Sequence, residues 1–187
     1  MIVVTDKVFE SITVTSENFI DKEFYDCTFE NCDFSNLSFS NAKFFNTTFI
    51  NCNLANSNLA SAQIRDCLFK GCKLIGIGIS RANFAFSANF YDSDLQYAEF
   101  IELNLRKMIV ERCNCNGIRF TNCNLRNAIF TNCSFMEAIF SNCDLQEAAF
   151  TNAFSLILDP SANKIKKTVI NLETASNIAR QFGFQVN

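Results

Sequence analysis

The sequence predicts an all-β solenoid, a chain that turns a corner once in every five residues. Large apolar residues recur at that interval through Ile118–Phe150, at Phe120, Leu125, Phe130, Phe135, Phe140, Leu145 and Phe150. A helix face repeats every 3.6 residues and a strand face every 2, so a strict period of five fits neither. Two positions before each large residue stands a smaller one: Cys123, Ala128, Cys133, Ala138, Cys143, Ala148. The same register runs from Phe9 to Phe84 and, after a slip of one residue, from Phe90 to Phe150. Of its 29 large slots, 28 hold Phe, Leu, Ile or Val, which chance does not produce and which implies one continuous repeating core.

In chain order, residues 1–8 are expected to form an opening strand that covers the end of the core. The repeat then occupies the chain to about residue 153. The slip falls in Ala85–Asn89, where one extra residue predicts a bulge that re-aims its neighbours. Asparagines twenty residues apart, Asn31 and Asn51, Asn36 and Asn56, Asn122 and Asn142, Asn132 and Asn152, are placed in shared columns as amide ladders. After Phe150 the pattern fades, and Asp159-Pro160 marks a turn. Lys164, Lys166 and Lys167 read as a solvated loop, and Asn171 as the cap of an amphipathic helix over Leu172–Phe182. That helix carries Ala175, Ile178, Ala179 and Phe182 on one side and ends at Gly183. The tail Phe184–Val186 alternates like a short edge strand. The expected division is thus a repeat domain over 1–153, with its N-terminal cap strand, and a C-terminal segment over 154–187.

Composition narrows the function. Nine of the ten cysteines (Cys27, Cys32, Cys52, Cys67, Cys72, Cys113, Cys123, Cys133, Cys143) take the small slot that Ala, Ser and Thr also fill, and Cys115 takes a large one. Such interchange marks buried free thiols serving as small hydrophobes, and so a reducing, cytoplasmic setting. No apolar run reaches the ~20 residues of a membrane span, and the start lacks the basic-then-apolar pattern of an export signal. A net charge of −3 argues against nucleic acid as a direct ligand. There is no histidine to serve as a base, no glycine-rich phosphate loop, and no second cysteine pair to join Cys113 and Cys115 around a metal. The expectation is a protein without catalysis, cofactor or metal, acting through its outer walls.

Units such as Ala42-Lys43-Phe44-Phe45-Asn46, Cys52-Asn53-Leu54-Ala55-Asn56 and Cys123-Asn124-Leu125-Arg126-Asn127 resemble the pentapeptide-repeat family over about residues 9–153. The resemblance implies a right-handed quadrilateral β-helix, four pentapeptides to a square coil, here about seven coils and a rod about 35 Å long. The short loops and the C-terminal helix and tail resemble the microcin-immunity and quinolone-resistance (Qnr-type) branches. These branches imply a homodimer joined through the C-terminal segment, with Leu172, Ile178, Phe182, Phe184 and Val186 at the interface. They also imply a DNA-mimic protein that binds a type II topoisomerase, DNA gyrase or topoisomerase IV, and protects it from a quinolone, a microcin or an albicidin-like toxin.

Charge is uneven along the chain. Residues 1–60 carry eight acids against three bases, residues 91–105 are acidic, and residues 106–126 are basic. The expected contact surface is the bulge and the coil after it, Phe86, Asp92, Asp94, Glu99 and Glu102, with Asp26, Glu30 and Asp33 as a second patch. Sorted by twenty-residue columns, Asp33, Asn53, Lys73 and Asp94 fall together, which is not a continuous acidic stripe. The competing reading is a scaffold or adaptor with no topoisomerase contact, using the exposed apolar positions Phe45, Ile101, Ile109, Ile129 and Ile139.

Overall fold

The computed structural model describes residues 2–80 and 86–186. The chain is a parallel β-solenoid of about seven turns closed by one C-terminal helix. Each turn has four faces. Strands Ile2–Thr5, Lys22–Tyr25, Lys43–Phe45 and the start of Gln63–Lys70 stack on face 1. Val8–Glu10, Thr28–Glu30, Thr48–Ile50, the end of Gln63–Lys70, the end of Phe86–Tyr91, Ile109–Glu111, Ile129–Thr131 and Ala149–Thr151 stack on face 2. Face 3 is a column of single bridges from Asp33 through Asn53, Lys73, Asp94, Asn114 and Ser134 to Phe154. On face 4, Gly78–Ser80, Glu99–Ile101, Arg119–Thr121 and Ile139–Ser141 form a flat four-stranded sheet.

The five-residue period is the core. Each large residue points to the axis and rests on the one a turn below. On face 2, Phe9, Phe29, Phe49, Phe69 and Phe90 form a continuous stack with ring centroids 4.7–5.3 Å apart and planes within 14°. Rings on adjacent faces meet edge-on, as Phe29 meets Phe34 at 83° and Phe130 meets Phe135 at 76°. Offset stacks along the axis and T-shaped contacts across it are the two arrangements that aromatic quadrupoles favour, so phenylalanine satisfies both directions at once.

The small slot does more than pack. The thiol of Cys52 reaches the carbonyl of Phe29 in the turn below at 3.3 Å, and Cys67, Cys72, Cys133 and Cys143 repeat the contact at 3.3–3.4 Å. At two slots without cysteine another donor serves: Thr168 Oγ1 donates to Leu145 at 2.7 Å and Asn163 Nδ2 to Phe140 at 2.9 Å. The slot takes a small side chain, often alanine, and where that side chain carries a donor it serves a buried carbonyl. All ten cysteines are free and buried, and burial pushes the Cys67 thiol up to about 12.

The corners explain the asparagines. At most corners the residue two after the large one lies in the left-handed region, with φ from 49° to 62° at non-glycine positions, and Asn, Asp or Gly fills most of these corners. Asparagine tolerates that conformation where most L-residues do not. The ladder expectation holds for Asn122 and Asn142 at 2.7 Å and for Asn132 and Asn152 at 3.0 Å. Above Asn51 and Asn56 the next corners are Gly71 and Gly76, whose absent Cβ atoms make room for the amide oxygens below, at 2.3 and 2.8 Å from where those atoms would lie.

Several expectations are corrected. Residues 2–5 do not cover the end of the core; they pair in register with 22–25 as the first turn itself. A hollow of about 390 Å³ lined by Val4, Phe9, Ile12 and Phe19 remains open at that end. The predicted slot at Phe84 lies outside the described residues, and Phe86 takes the place on face 1 opposite Ile64. The register then shifts so that Cys67 pairs with Ala88, and the Asp66 N–H that the bulge leaves over donates to Ser87 Oγ at 2.7 Å.

At the other end the coil does not stop at 153. Ile165 and Ile170 return to the five-residue register, and bridges join Asp144 to Lys164 and Ala149 to Val169. The helix, Leu172–Gln181, is capped by Asn171 Oδ1, which accepts from Thr174 N–H at 2.9 Å. It turns Thr174 and Ile178 to the rod and leaves Ala175 and Phe182 outside, a face rotated from the expected one. Residues 184–186 form no strand. Gly183 adopts φ 82° and Phe184 N–H donates to Ala179 O at 3.0 Å, so the tail's first donor closes the helix instead of an edge.

Two substitutions should move stability in opposite directions. Phe130→Ala opens the stack against Phe150 and should cost about 3–5 kcal/mol in chemical denaturation. Glu147→Asn, at a corner with φ 61°, should gain about 1 kcal/mol by relieving a left-handed glutamate.

Candidate partner-binding surface

Because aromatic rings fill the axis, the outer walls are what remains to act. Stacking places residues of the acidic and basic tracts one turn apart, and some of them pair. Asp92 accepts from Arg112 at 2.6 and 3.1 Å, which holds its carboxyl below the usual range, and Arg112 also meets Glu111. Arg119 stands 3.9 Å from Glu99, and Arg126 stands 3.6 Å from Asp144. Lower on the rod, the nearly buried Glu23 binds Lys43 at 2.6 Å and Tyr25 at 2.8 Å; those two bonds, Lys43's first, lower its pKa.

The expected contact residues are therefore not one patch. Phe86 is 6% exposed, with its ring 5.9 Å from that of Phe100, and belongs to the core, because the bulge carries it inward to the place Phe84 was expected to hold. Asp92 stands on the corner between faces 2 and 3, Asp94 on face 3, Glu99 on face 4 and Glu102 on the corner after it, so the four wrap half the rod. Asp94 turns to Gln96, accepting from its backbone N–H at 3.2 Å and its side-chain amide at 3.0 Å. Asp33 lies on face 3, away from Asp26 and Glu30, and the backbone N–H of Ser35 lowers its pKa.

Asp26 and Glu30 border the same face. Asp6, Asp26, Asn46 and Asp66 occupy the corner before face 2 in successive turns, and Glu10 and Glu30 are directly paired rungs at the far end of that face. Asn46 donates to Asp26 at 2.5 Å, and among the described residues Asp6, Glu10, Asp26 and Glu30 make no ion pair. Lys7 is the cation in the same turn. The signal was present in the sequence as an interval of twenty through Asp6, Asp26 and Asp66; it needed the corner column, not the Asp33 column, to be sorted.

The apolar positions of the adaptor reading are divided. Ile109 and Ile129 stand on face 2, whereas Ile101 and Ile139 stand on the opposite face 4. Phe45 is sandwiched between Tyr25, at 4.9 Å, and the Arg65 guanidinium, at 5.3 Å. Beside the bulge a hollow of about 580 Å³ is lined by Asp66, Ser87, Tyr91, Arg106 and Lys107, among others. Among the described residues no group of three or more Cys, Asp or Glu is disposed to hold a metal ion, and no helix is long and apolar enough to cross a membrane.

Family models described as pentapeptide repeat region and pentapeptide repeats (8 copies) match residues 5–76, 22–100 and 42–120, and residues 113–153, respectively. The chain belongs to the pentapeptide-repeat family. Among solved structures, this pentapeptide-repeat chain is similar to a trypsin-treated variant of QnrB1, described as a plasmid-mediated fluoroquinolone resistance protein. The TM-score is 0.57 at 18% identity, over 100% of this chain and 98% of that one. It is also similar to HetL, a pentapeptide-repeat protein involved in heterocyst differentiation regulation from the cyanobacterium Nostoc sp. strain PCC 7120. There the TM-score is 0.42 at 13% identity, over 89% of this chain and 82% of that one. At these identities the likeness is one of fold. Comparison with curated proteins finds no match.

Glu23 supplies a pH test. Its folded pKa lies below the ordinary 4.5, so its contribution is present above that value and is lost as pH falls through the folded one. Calorimetry from pH 7 to 3 should show the melting temperature falling below about pH 4.5, with a shallower fall in Glu23→Gln.

Proposed function

We propose that this pentapeptide-repeat protein docks on a type II topoisomerase, DNA gyrase or topoisomerase IV, and protects it from a quinolone or a peptide toxin, acting in the cytoplasm without catalysis. The observation that carries the reading is the acidic border of face 2, with Asp6, Asp26 and Asp66 on the corner before it and Glu10 and Glu30 at its far end, none in an ion pair among the described residues. Higher on the rod Asp92, Glu99 and Asp144 each face an arginine about one turn away, whereas these acids face no base within ion-pair distance. Rungs repeat at ~4.8 Å, so the corner sets carboxylates in a rigid row, as a duplex sets phosphates. A groove of lysines and arginines built for DNA would meet complementary charge there. The whole-length likeness of fold to a fluoroquinolone resistance protein supports the same class of target.

The C-terminal segment is proposed to join two copies. Leu172, at the start of the helix, is 87% exposed, and Phe182 and Phe184, at its end, are exposed as well. Ile178, expected at that interface, packs inward on the core instead and serves as the cap; Val186 is half-buried. An aromatic cluster on an end surface suits a two-fold, self-complementary contact.

Purified protein should restore gyrase supercoiling in the presence of a quinolone or a microcin. The double variant Asp26→Lys/Glu30→Lys should lose about tenfold or more of that protection with an unchanged circular dichroism spectrum. A wild-type protein that neither binds nor protects gyrase or topoisomerase IV overturns the reading. Light scattering should give twice 21.1 kDa, and Phe182→Asp/Phe184→Asp should return the monomer.

A further inference from the structure

Corner residues lean over the corner one turn above, which is why Gly71 and Gly76 follow Asn51 and Asn56. At Tyr97 the leaning side chain is a whole phenol ring. A Cβ on the next corner residue, Gly117, would lie 2.5 Å from Tyr97 Cδ1 and 2.6 Å from Cε1, so only glycine can stand there. Tyr97 itself has φ 56°, in the left-handed region that aromatic residues avoid, yet 58% of it remains exposed. Its neighbours at successive corners, Glu102, Lys107 and Arg112, share that conformation, so this turn forgoes the Asn and Gly used at most other corners. An exposed aromatic side chain at an unfavoured backbone position, with a glycine on the next turn leaving room for its ring, points to a role other than folding.

The ring borders a hollow of about 270 Å³ closed by Glu99, Gly117, Arg119 and Glu137. Arg119 is drawn toward Glu99, whereas Glu137 makes no ion pair among the described residues. The hollow opens beside face 4, where the exposed Ile139 stacks directly on Arg119. An aromatic wall, an unpaired carboxylate and an apolar margin together suit a guanidinium: it stacks on tyrosine, pairs with a carboxylate and sheds water readily. Tyrosine has only two side-chain torsions to fix, so docking on it costs little rotamer entropy, as in the tyrosine anchors of protein interfaces.

We propose that Tyr97, seated on Gly117 and flanked by the unpaired Glu137, is the anchor that takes an arginine side chain from this protein's partner. Where that partner is a topoisomerase the inference rests on the function proposed above, and the test separates the two. Tyr97→Asn should melt no lower than wild type, because asparagine suits the corner, yet bind gyrase at least about tenfold more weakly. Tyr97→Phe, which keeps the ring, should bind within about twofold of wild type, and Glu137→Gln should weaken binding a few-fold, more at low salt. If wild type binds and Tyr97→Asn binds equally well, the anchor is overturned while the topoisomerase reading stands. If wild type does not bind, that reading falls and the anchor is decided by titrating the protein with nona-arginine. A saturable shift of the Tyr97 ring proton resonances, reduced in Glu137→Gln, supports it, and their failure to move overturns it.

Discussion

Parallel backbone hydrogen bonding between successive turns obliges every side chain in this molecule to rest on the one about twenty positions earlier. That single constraint makes columns out of residues that are far apart in sequence. Inside, it turns isolated phenylalanines into stacks with planes nearly parallel. At the small slot it puts a thiol under a carbonyl of the turn below. On the walls it decides which charges meet. Loss of the one-per-five spacing would remove all three together, because none of these contacts is local.

The charge pattern shows the consequence. Along the chain, an acidic tract followed by a basic one looks like a surface with two poles. Folded, the tracts are adjacent turns, and Asp92 with Arg112 and Glu99 with Arg119 bring the poles together. Exposed pairs of this kind contribute little to stability, but they remove free charge from the wall. Among the acids left without a base are those bordering face 2 low on the rod, Asp6, Asp26 and Asp66 at one end and Glu10 and Glu30 at the other, where the stacked neighbours of Glu10 and Glu30 are acidic or neutral up to Lys70. The surface available for an ionic partner is thus defined by subtraction.

The corners carry a second kind of information. Asn, Asp and Gly relieve the left-handed backbone there, and each departure from them costs stability. Glu137 and Glu147 depart singly, whereas Tyr97, Glu102, Lys107 and Arg112 depart as a run around one turn. Gly117, which has no Cβ to meet the Tyr97 ring, shows that one of these departures is accommodated by a second position. Strain retained with such an accommodation belongs with function more readily than with folding.

From sequence alone, the period of five determined the solenoid, the axial residues, the buried free thiols and the capping role of Asn171, because each depends on intervals within one strand or turn. The end of the coil was also written there, in Ile165 and Ile170, but hidden by the irregular Ser155 and Pro160 between. Three matters were decided only by the tertiary structure. Phe86 takes the place on face 1 opposite Ile64, since a one-residue slip can be absorbed at any of several neighbours and only pairing with Ile64 selects one. The helix chose Thr174 and Ile178 as its inner face, since the angle at which it crosses the rod's end is set by the turn beneath it. The walls chose which acids stay free, because ion pairing between turns depends on stacking that no local pattern of charge contains.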